Sequence, residues 1–500
     1  MYNQNIEKLK NILKTQRYYG SIGALMGWDI WNGQPVETRS YMQELSGFLV
    51  RESLSKLTNK ESEYLVEYFK NYDVESIEDP YQKRAVKKFI KRYENILKVP
   101  VELQIEIRNA TQQAQLVWEE AYKKADYELF KPYMYKNFEL KTKEAEYLDN
   151  SKNPFDVLCD SFDEGTDTEK VASLFTELKT AIVPLIKQIA DTGLNFELNE
   201  LSERYDKKIS QDVMLDILKK VGYNTNRSIW GEKMHPVTTG VGPRDARITT
   251  NFRNFEGAMF SFLHEMGHGI YNYSANEKAI EYSMWGGIGG AVHESQARFY
   301  EIILGRSEEF WRYFYPILQE GIKEFRNIEF DRYFKGINNV LPTLKRLDAD
   351  ELTYNLHPII RFEIEKDYYD GKVKIDEIRE LWNEKYNEYL GIKANNDGDG
   401  VLQDVHWAMG YIGYFQSYTL GNLYDGQFLN AILKDNPNMY SEIGQGNFSF
   451  VNNWLHDNIH QFGTLYTPDE LIKKVTGEEL QAKYYIDYVK NKFRKLYNIK

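Results

Sequence analysis

A chain of 500 residues, 42% apolar and 15% aromatic, has ample material for a buried core. Its formal net charge of −12 excludes the cationic surface that a nucleic acid or an anionic membrane requires. The single cysteine, Cys159, excludes an internal disulfide framework and any Cys-rich zinc site.

The first half reads as helix after helix. Ile6-Leu9-Ile12-Leu13, Leu45-Leu49-Leu54, Leu65-Phe69, Phe89-Tyr93-Leu97 and Leu174-Leu178-Ile182-Leu185-Ile186-Ile189 repeat at helical spacing. Asp79-Pro80, Val99-Pro100 and Lys131-Pro132 read as punctuation between helices. Residues 20–35, rich in Gly and Trp, read as a tightly packed turn. Cys159, with no basic residue or His beside it, reads as a buried structural thiol. No linker, repeat or low-complexity tract divides the chain, so a single domain over 1–500 is expected: helices over 1–205, a small β element at about 230–251, and a catalytic half over 252–500. No apolar run approaches the roughly 18 residues that span a bilayer, and the first residues lack a basic segment followed by an apolar one, so a cytoplasmic location is expected.

From about Asp206 the texture changes. Lys208–Lys220 is helical in pattern, but Lys233–Pro243 and Asp245–Asn251 are β-branched with Gly and Pro between them, a hairpin or short sheet. Such an element beside a reactive centre can form an edge for an extended peptide, which makes His235, Asp245, Arg247 and Thr249 candidates for a cleft. A structural ion pair between Asp245 and Arg247 is the competing reading.

Next comes Leu263-His264-Glu265-Met266-Gly267-His268-Gly269. Residues four apart share a helix face, so His264 and His268 can aim two imidazoles at one ion, with Glu265 one step round. With only 8 His in the chain this match arises by chance in about one such sequence in a hundred. The dense apolar flank Met259–Leu263 marks the helix as buried, and buried histidines need partners, which a metal supplies. Two His, a third ligand and an open position make a hydrolytic centre: the ion acidifies a water and polarises a carbonyl, and a carboxylate shuttles the proton. The third ligand is found 26 residues on, where the Gly286–Gly290 turn lets a second helix fold back and present Glu294, with His293 facing elsewhere as a hydrogen-bonding wall residue. Zn²⁺ suits this set best, and Co²⁺ or Mn²⁺ also match it, one divalent ion per chain.

Further on, Leu344–Tyr354 reads as the opening of a long helix in which Pro358 marks a kink. Gly400–Trp407 and Gly410–Tyr418 concentrate groups able to hold an oxyanion, His406 and several Tyr, although each taken alone reads equally as a satisfied core residue. His456-Asp-Asn-Ile-His460 repeats the His spacing without the Glu and reads as a polar helix face.

With His264-Glu-Met-Gly-His268, His293-Glu294-Ser-Gln296 and Gly400-Val-Leu-Gln-Asp-Val-His-Trp407 in this order, the sequence resembles the carboxypeptidase Taq family of metallocarboxypeptidases, from Gly27-Trp28-Asp29 to Leu465–Leu471. The resemblance implies a mainly α, elongated molecule with a deep central cleft and a small β-sheet next to the metal helix, a homodimer, acting on peptides with a free C-terminal carboxylate. It makes His264, His268 and Glu294 the ligands and Glu265 the general base and acid. Arg346, in Arg346-Leu-Asp-Ala-Asp350, becomes the clamp for the terminal carboxylate, a role that suits a guanidinium fork. His406 and Tyr414 would assist at the scissile carbonyl, with Tyr418 as the alternative to Tyr414, and His235, Asp245, Arg247 and Gln296 would line the cleft. Three departures, Val237, Lys345 and Gln416, bear on pocket shape. The rival reading is a helical metallo-oligopeptidase that cuts internal bonds; a catalytically silent peptide-binding protein is the rival from another class.

Overall fold

The amphipathic repeats of the first half form long helices: Tyr2–Trp31, Arg39–Leu57, Lys60–Lys70, Pro80–Lys98, Val101–Lys124 and Tyr127–Leu148. The computed structural model describes residues 1–31, 33, 35–198, 206–233, 236–252 and 254–499. Pro80–Lys98 shows how local sequence sets these helices. Pro80 occupies the first turn, Asp79 caps it by accepting from Tyr81 N at 2.9 Å, and Tyr81, Ala85, Val86, Phe89 and Tyr93 form the buried stripe. These first helices build a core of their own, in which Ile6, Leu9, Leu65, Phe69 and Phe89 pack with Tyr282, Met284 and Trp285. The larger core gathers the remaining helices around the sheet and the segment Phe255–Tyr273.

Three expectations are corrected here. Residues 20–31 continue the first helix to Trp31 instead of turning, because this stretch packs along the next helix, where even a Cβ at Gly23 would only touch Leu49 at 3.7 Å, and such packing outweighs the weak helix propensity of Gly. Lys131-Pro132 lies inside Tyr127–Leu148. There one lost hydrogen bond is outweighed by burial of Phe130, Met134 and Phe138 on the same helix. Leu344–Tyr354 opens no helix. Two short 3-10 turns, Arg346–Asp348 and Thr353–Asn355, lead into Leu356–Tyr369, so Pro358 falls in a first turn, where its missing N–H has no helical acceptor to lose.

The β element is a three-stranded sheet, with β1 (Ser228–Glu232), β2 (Val237–Gly242) and β3 (Asp245–Thr250) in the order β1-β3-β2. β1 runs parallel to β3, and β2 antiparallel to it with a bulge between Gly240 and Gly242. Helix Phe255–Tyr273 packs on β3, where Gly269 approaches Ile248 and Ala246 so closely that an added Cβ would lie 3.3 Å from Ile248. Among the described residues no helix is long and apolar enough to cross a membrane.

Candidate active site

Asn254 starts the central helix by accepting from Gly257 N at 2.7 Å, and Phe255, Ala258, Met259, Phe262, Leu263 and Met266 bury one face completely. The opposite face lines a cavity of about 1410 Å³ along nearly its whole length, from Asn254 through His264, Glu265 and His268 to Asn272. Gly267, between the two histidines, is where the second helix, Gly290–Arg298, crosses. A Cβ there would meet Gln296 O at 2.4 Å and Ala297 Cα at 2.7 Å, both backbone atoms. Gly267→Ala is therefore expected to destabilise the fold by about 1–3 kcal/mol through overpacking, read as a lower thermal midpoint. The turn before the second helix needs left-handed backbone at Gly286, Gly287 and Gly289, and a side chain at Gly287 would strike the Tyr271 ring.

This crossing brings His264, His268 and Glu294 together, with one ligand atom from each within 4.8 Å of the others. Nε2 of His264 lies 3.8 Å from Glu294 Oε2, and Nε2 of His268 3.9 Å from Oε1. Donors held about 2.0–2.2 Å from one ion sit only slightly closer together than this. The other ring nitrogens test whether the set fits a cation. His264 Nδ1 lies 2.9 Å from Glu301 Oε2, so in the neutral ring Nδ1 carries the proton and Nε2 the lone pair. His293 Nε2 is 2.7 Å from the carbonyl of Gly286 and must donate to it, so its Nδ1 accepts at 3.1 Å from Nδ1–H of His268, again freeing Nε2. With Nδ1 of each ring so engaged, Nε2 of both imidazoles faces the buried Glu294 carboxylate, and a divalent metal would take the place of the Nε2 proton on His264.

Electrostatics follow from burial. Desolvation favours a neutral His264, but the Glu301 hydrogen bond and charge hold it up to about 9; burial drives His268 well down. Burial likewise pushes the Glu265 carboxyl up to about 7, opposed by the His264 charge and by the Thr238 hydroxyl, 2.6 Å from Oε2. Glu301 itself is held down to about 2. Desolvation works the other way, but the Arg298 and His264 charges prevail. Glu301 and Thr238 went unnoticed in the sequence. Glu301 is seven residues beyond Glu294, two turns on the same face, and a π-helical stretch, Phe299–Leu304, carries it.

A third wall comes from the 344–356 segment and helix Phe415–Asp435. Arg346 is buried at the cavity edge, its Nε and Nη2 donating to Asp404 Oδ1 at 3.2 and 3.0 Å, its Nη1 to the Tyr354 hydroxyl at 3.1 Å, and its guanidinium 4.6 Å over the Tyr418 ring. Asp404 also accepts from Arg361 Nε at 2.6 Å; despite burial, the two guanidinium charges hold it well below the usual carboxylate range. Asp350 closes the Arg346 segment by accepting from the backbone of Leu341, Leu352 and Thr353. Tyr414 and Tyr418 line the cavity.

Other expected site residues are placed differently. His406 is not among the cavity-lining residues; its Nε2 pairs with the Tyr418 hydroxyl at 3.1 Å, and burial, against the Asp404 charge, pushes it down to about 3. Asp245 and Arg247 pair with each other at 2.7 and 2.8 Å on β3, while β2 supplies the wall with Val237, Thr238 and Gly240. Gln296 is fully buried, with Oε1 accepting from His460 at 2.7 Å and Nε2 donating to Ser295, so it braces the second helix from inside. That bond also places His460 in the core, apart from the exposed His456. Cys159 is buried and unpaired. His235 lies outside the described residues.

Comparison with known proteins adds an independent line. The sequence profile described as Carboxypeptidase Taq (M32) metallopeptidase matches residues 8–493. The chain is 35% identical to Carboxypeptidase 1 of Bacillus subtilis (strain 168) over 490 residues, 97% of each chain. It is 34% identical to Thermostable carboxypeptidase 1 of Pyrococcus furiosus, with 97% of this chain and 98% of that protein covered. The solved M32 carboxypeptidase from Deinococcus radiodurans R1 superposes with a TM-score of 0.95 at 30% identity, over 99% of this chain and all of that one.

Proposed function

The chain belongs to the carboxypeptidase Taq (M32) metallopeptidase family, and from that premise we propose how its own residues carry out a metal-dependent carboxypeptidase reaction. The observation that carries the reading is that His264, His268, Glu294, Glu265 and Arg346 line one cavity. His264, His268 and Glu294 hold the divalent ion, zinc in this reading. When bound, the metal supplies Lewis acidity to the scissile carbonyl and lowers the pKa of a water in its open position. Glu265, steadied by Thr238, takes the proton from the attacking water and returns it to the departing amine. Arg346 grips the C-terminal carboxylate and so sets the cut one residue in. Five N–H groups are available to a guanidinium and three are engaged by Asp404 and Tyr354, which leaves two for the substrate. Tyr414 sits against the carbonyl, and His406 acts through Tyr418. The same reading carries a single catalytic unit over the whole chain, a homodimer and a cytoplasmic location.

The carboxylate behind His264 gives one separable test. Glu301→Gln removes the charge that fixes the His264 tautomer and is expected to weaken metal binding by about 10–100-fold, read by competition with a chelator. The reading as a whole is tested by mass spectrometry of one peptide offered as free acid and as amide, with and without Zn²⁺ or Co²⁺ after chelation. Stepwise loss of single residues from the free acid alone, and only with metal, is expected. Internal cuts in both peptides would instead mark an oligopeptidase.

A further inference from the structure

A cluster of cations stands apart from the metal centre. On helix Pro80–Lys98, Arg84, Lys88 and Arg92 recur every four residues and share one face. Arg92 Nη2 reaches Gln16 Oε1 at 3.3 Å, which sets the neighbouring Arg17 of the first helix against that face. The carboxylates nearby are engaged elsewhere: Glu164 pairs with Arg84 at 2.5 Å and with Lys91 at 3.5 Å, and Asp160 with Lys91 at 3.0 Å. Among the described residues Arg17 donates only to carbonyls, Ser283 O at 2.7 Å and Trp285 O at 2.9 Å, and stacks 4.6 Å from the Trp285 ring. Lys88 has neither an ion pair nor a hydrogen bond among the described residues, and burial together with the Arg84 charge pushes its ammonium down to about 8. Arg17, Lys88 and Arg92 thus lie on neighbouring helices with no carboxylate bonded to any of them among the described residues, so their like charges stay uncompensated until an anion enters.

Arg17 connects this cluster to the catalytic cleft. Arg17, Ser21 and Trp285 line a second cavity of about 270 Å³, and Gly240 and Asn272 line both it and the metal cavity. The carbonyl of Trp285, held by Arg17, precedes that of Gly286, which accepts from His293.

We propose that Arg17, Lys88 and Arg92 form an anion-binding site for a carboxylate or phosphate group, joined to the cleft through the second cavity that Arg17 lines. The group comes either from a free oxyanion or from an acidic residue of a bound peptide. Both sources present the planar or tetrahedral oxygens that guanidinium and ammonium groups recognise.

Two arms separate the sources. In the first, inorganic phosphate is titrated into the metal-loaded full-length protein and into Lys88→Gln and Arg92→Gln, with thermal unfolding as the readout. A free-oxyanion site is expected to raise the wild-type midpoint by roughly 2–5 °C at saturation and to lose that increment in both variants. In phosphate-free buffer Lys88→Gln is expected to melt no lower than wild type, since it removes a like-charge neighbour. In the second arm, peptides identical except for Glu or Gln upstream of the scissile bond are compared. A peptide-borne site is expected to give the Glu peptide a roughly 10-fold lower KM, a difference abolished by Lys88→Gln. The proposal is overturned if phosphate gives no increment and the peptides share one KM, or if whatever increment or KM difference is found persists undiminished in the variants.

Discussion

Glu265→Gln is expected to keep its metal and lose most of its turnover. The amide is isosteric, can still meet the Thr238 hydroxyl that lies 2.6 Å from Oε2, and leaves His264, His268 and Glu294 untouched, so metal content by elemental analysis should match the wild type. What disappears is the proton acceptor beside the attacking water. General acid–base groups contribute about 10²–10⁴-fold, and that loss should fall on kcat with KM nearly unchanged, because the amide removes no group that grips the peptide's terminus. Near-normal kcat in a metal-replete variant would overturn the assignment of Glu265.

The second large effect is expected at Arg346. Arg346→Ala should lower kcat/KM for free-acid peptides about 10²-fold, equivalent to about 3 kcal/mol for a desolvated charge-assisted contact, while leaving the slow cleavage of the corresponding amides unchanged. The fold should survive, since Asp404 keeps Arg361 Nε at 2.6 Å as a counter-charge. Arg346→Lys should recover only part of the loss, because an ammonium cannot offer the planar fork. Equal losses on acid and amide substrates would remove Arg346 from the clamp and point to a structural role through Asp404 and Tyr354.

Much of this protein could be read from residue order, and the boundary between legible and illegible is physical. The metal set was legible because it uses local geometry. His264 and His268 are four apart on one helix, and the glycine turn Gly286–Gly290 is a recognisable way to fold Glu294, 26 residues beyond His268, back over them. The helical stripes of the first half were legible for the same reason, as in Pro80–Lys98, where cap, proline and apolar period agree.

What the sequence by itself determined, then, is the helical class, the β interruption before the metal helix, the His264-Glu265-His268 and Glu294 constellation, and, through the order of several separated motifs, the family. Tertiary structure alone decided the rest. It assigned Glu301 and His293 to the Nδ1 atoms of the two histidines, Thr238 to Glu265, and Asp404 jointly to Arg346 and Arg361. It also withdrew Asp245, Arg247, Gln296 and His406 from the cavity wall and extended the first helix through a glycine-rich stretch that resembled a turn. The reason is common to all of these. A hydrogen-bond partner or a wall position depends on which surfaces meet across tens to hundreds of intervening residues, and packing at contacts such as Gly267 against Gln296 and Ala297 selects those surfaces, whereas residue spacing reports only what one helix or strand does by itself.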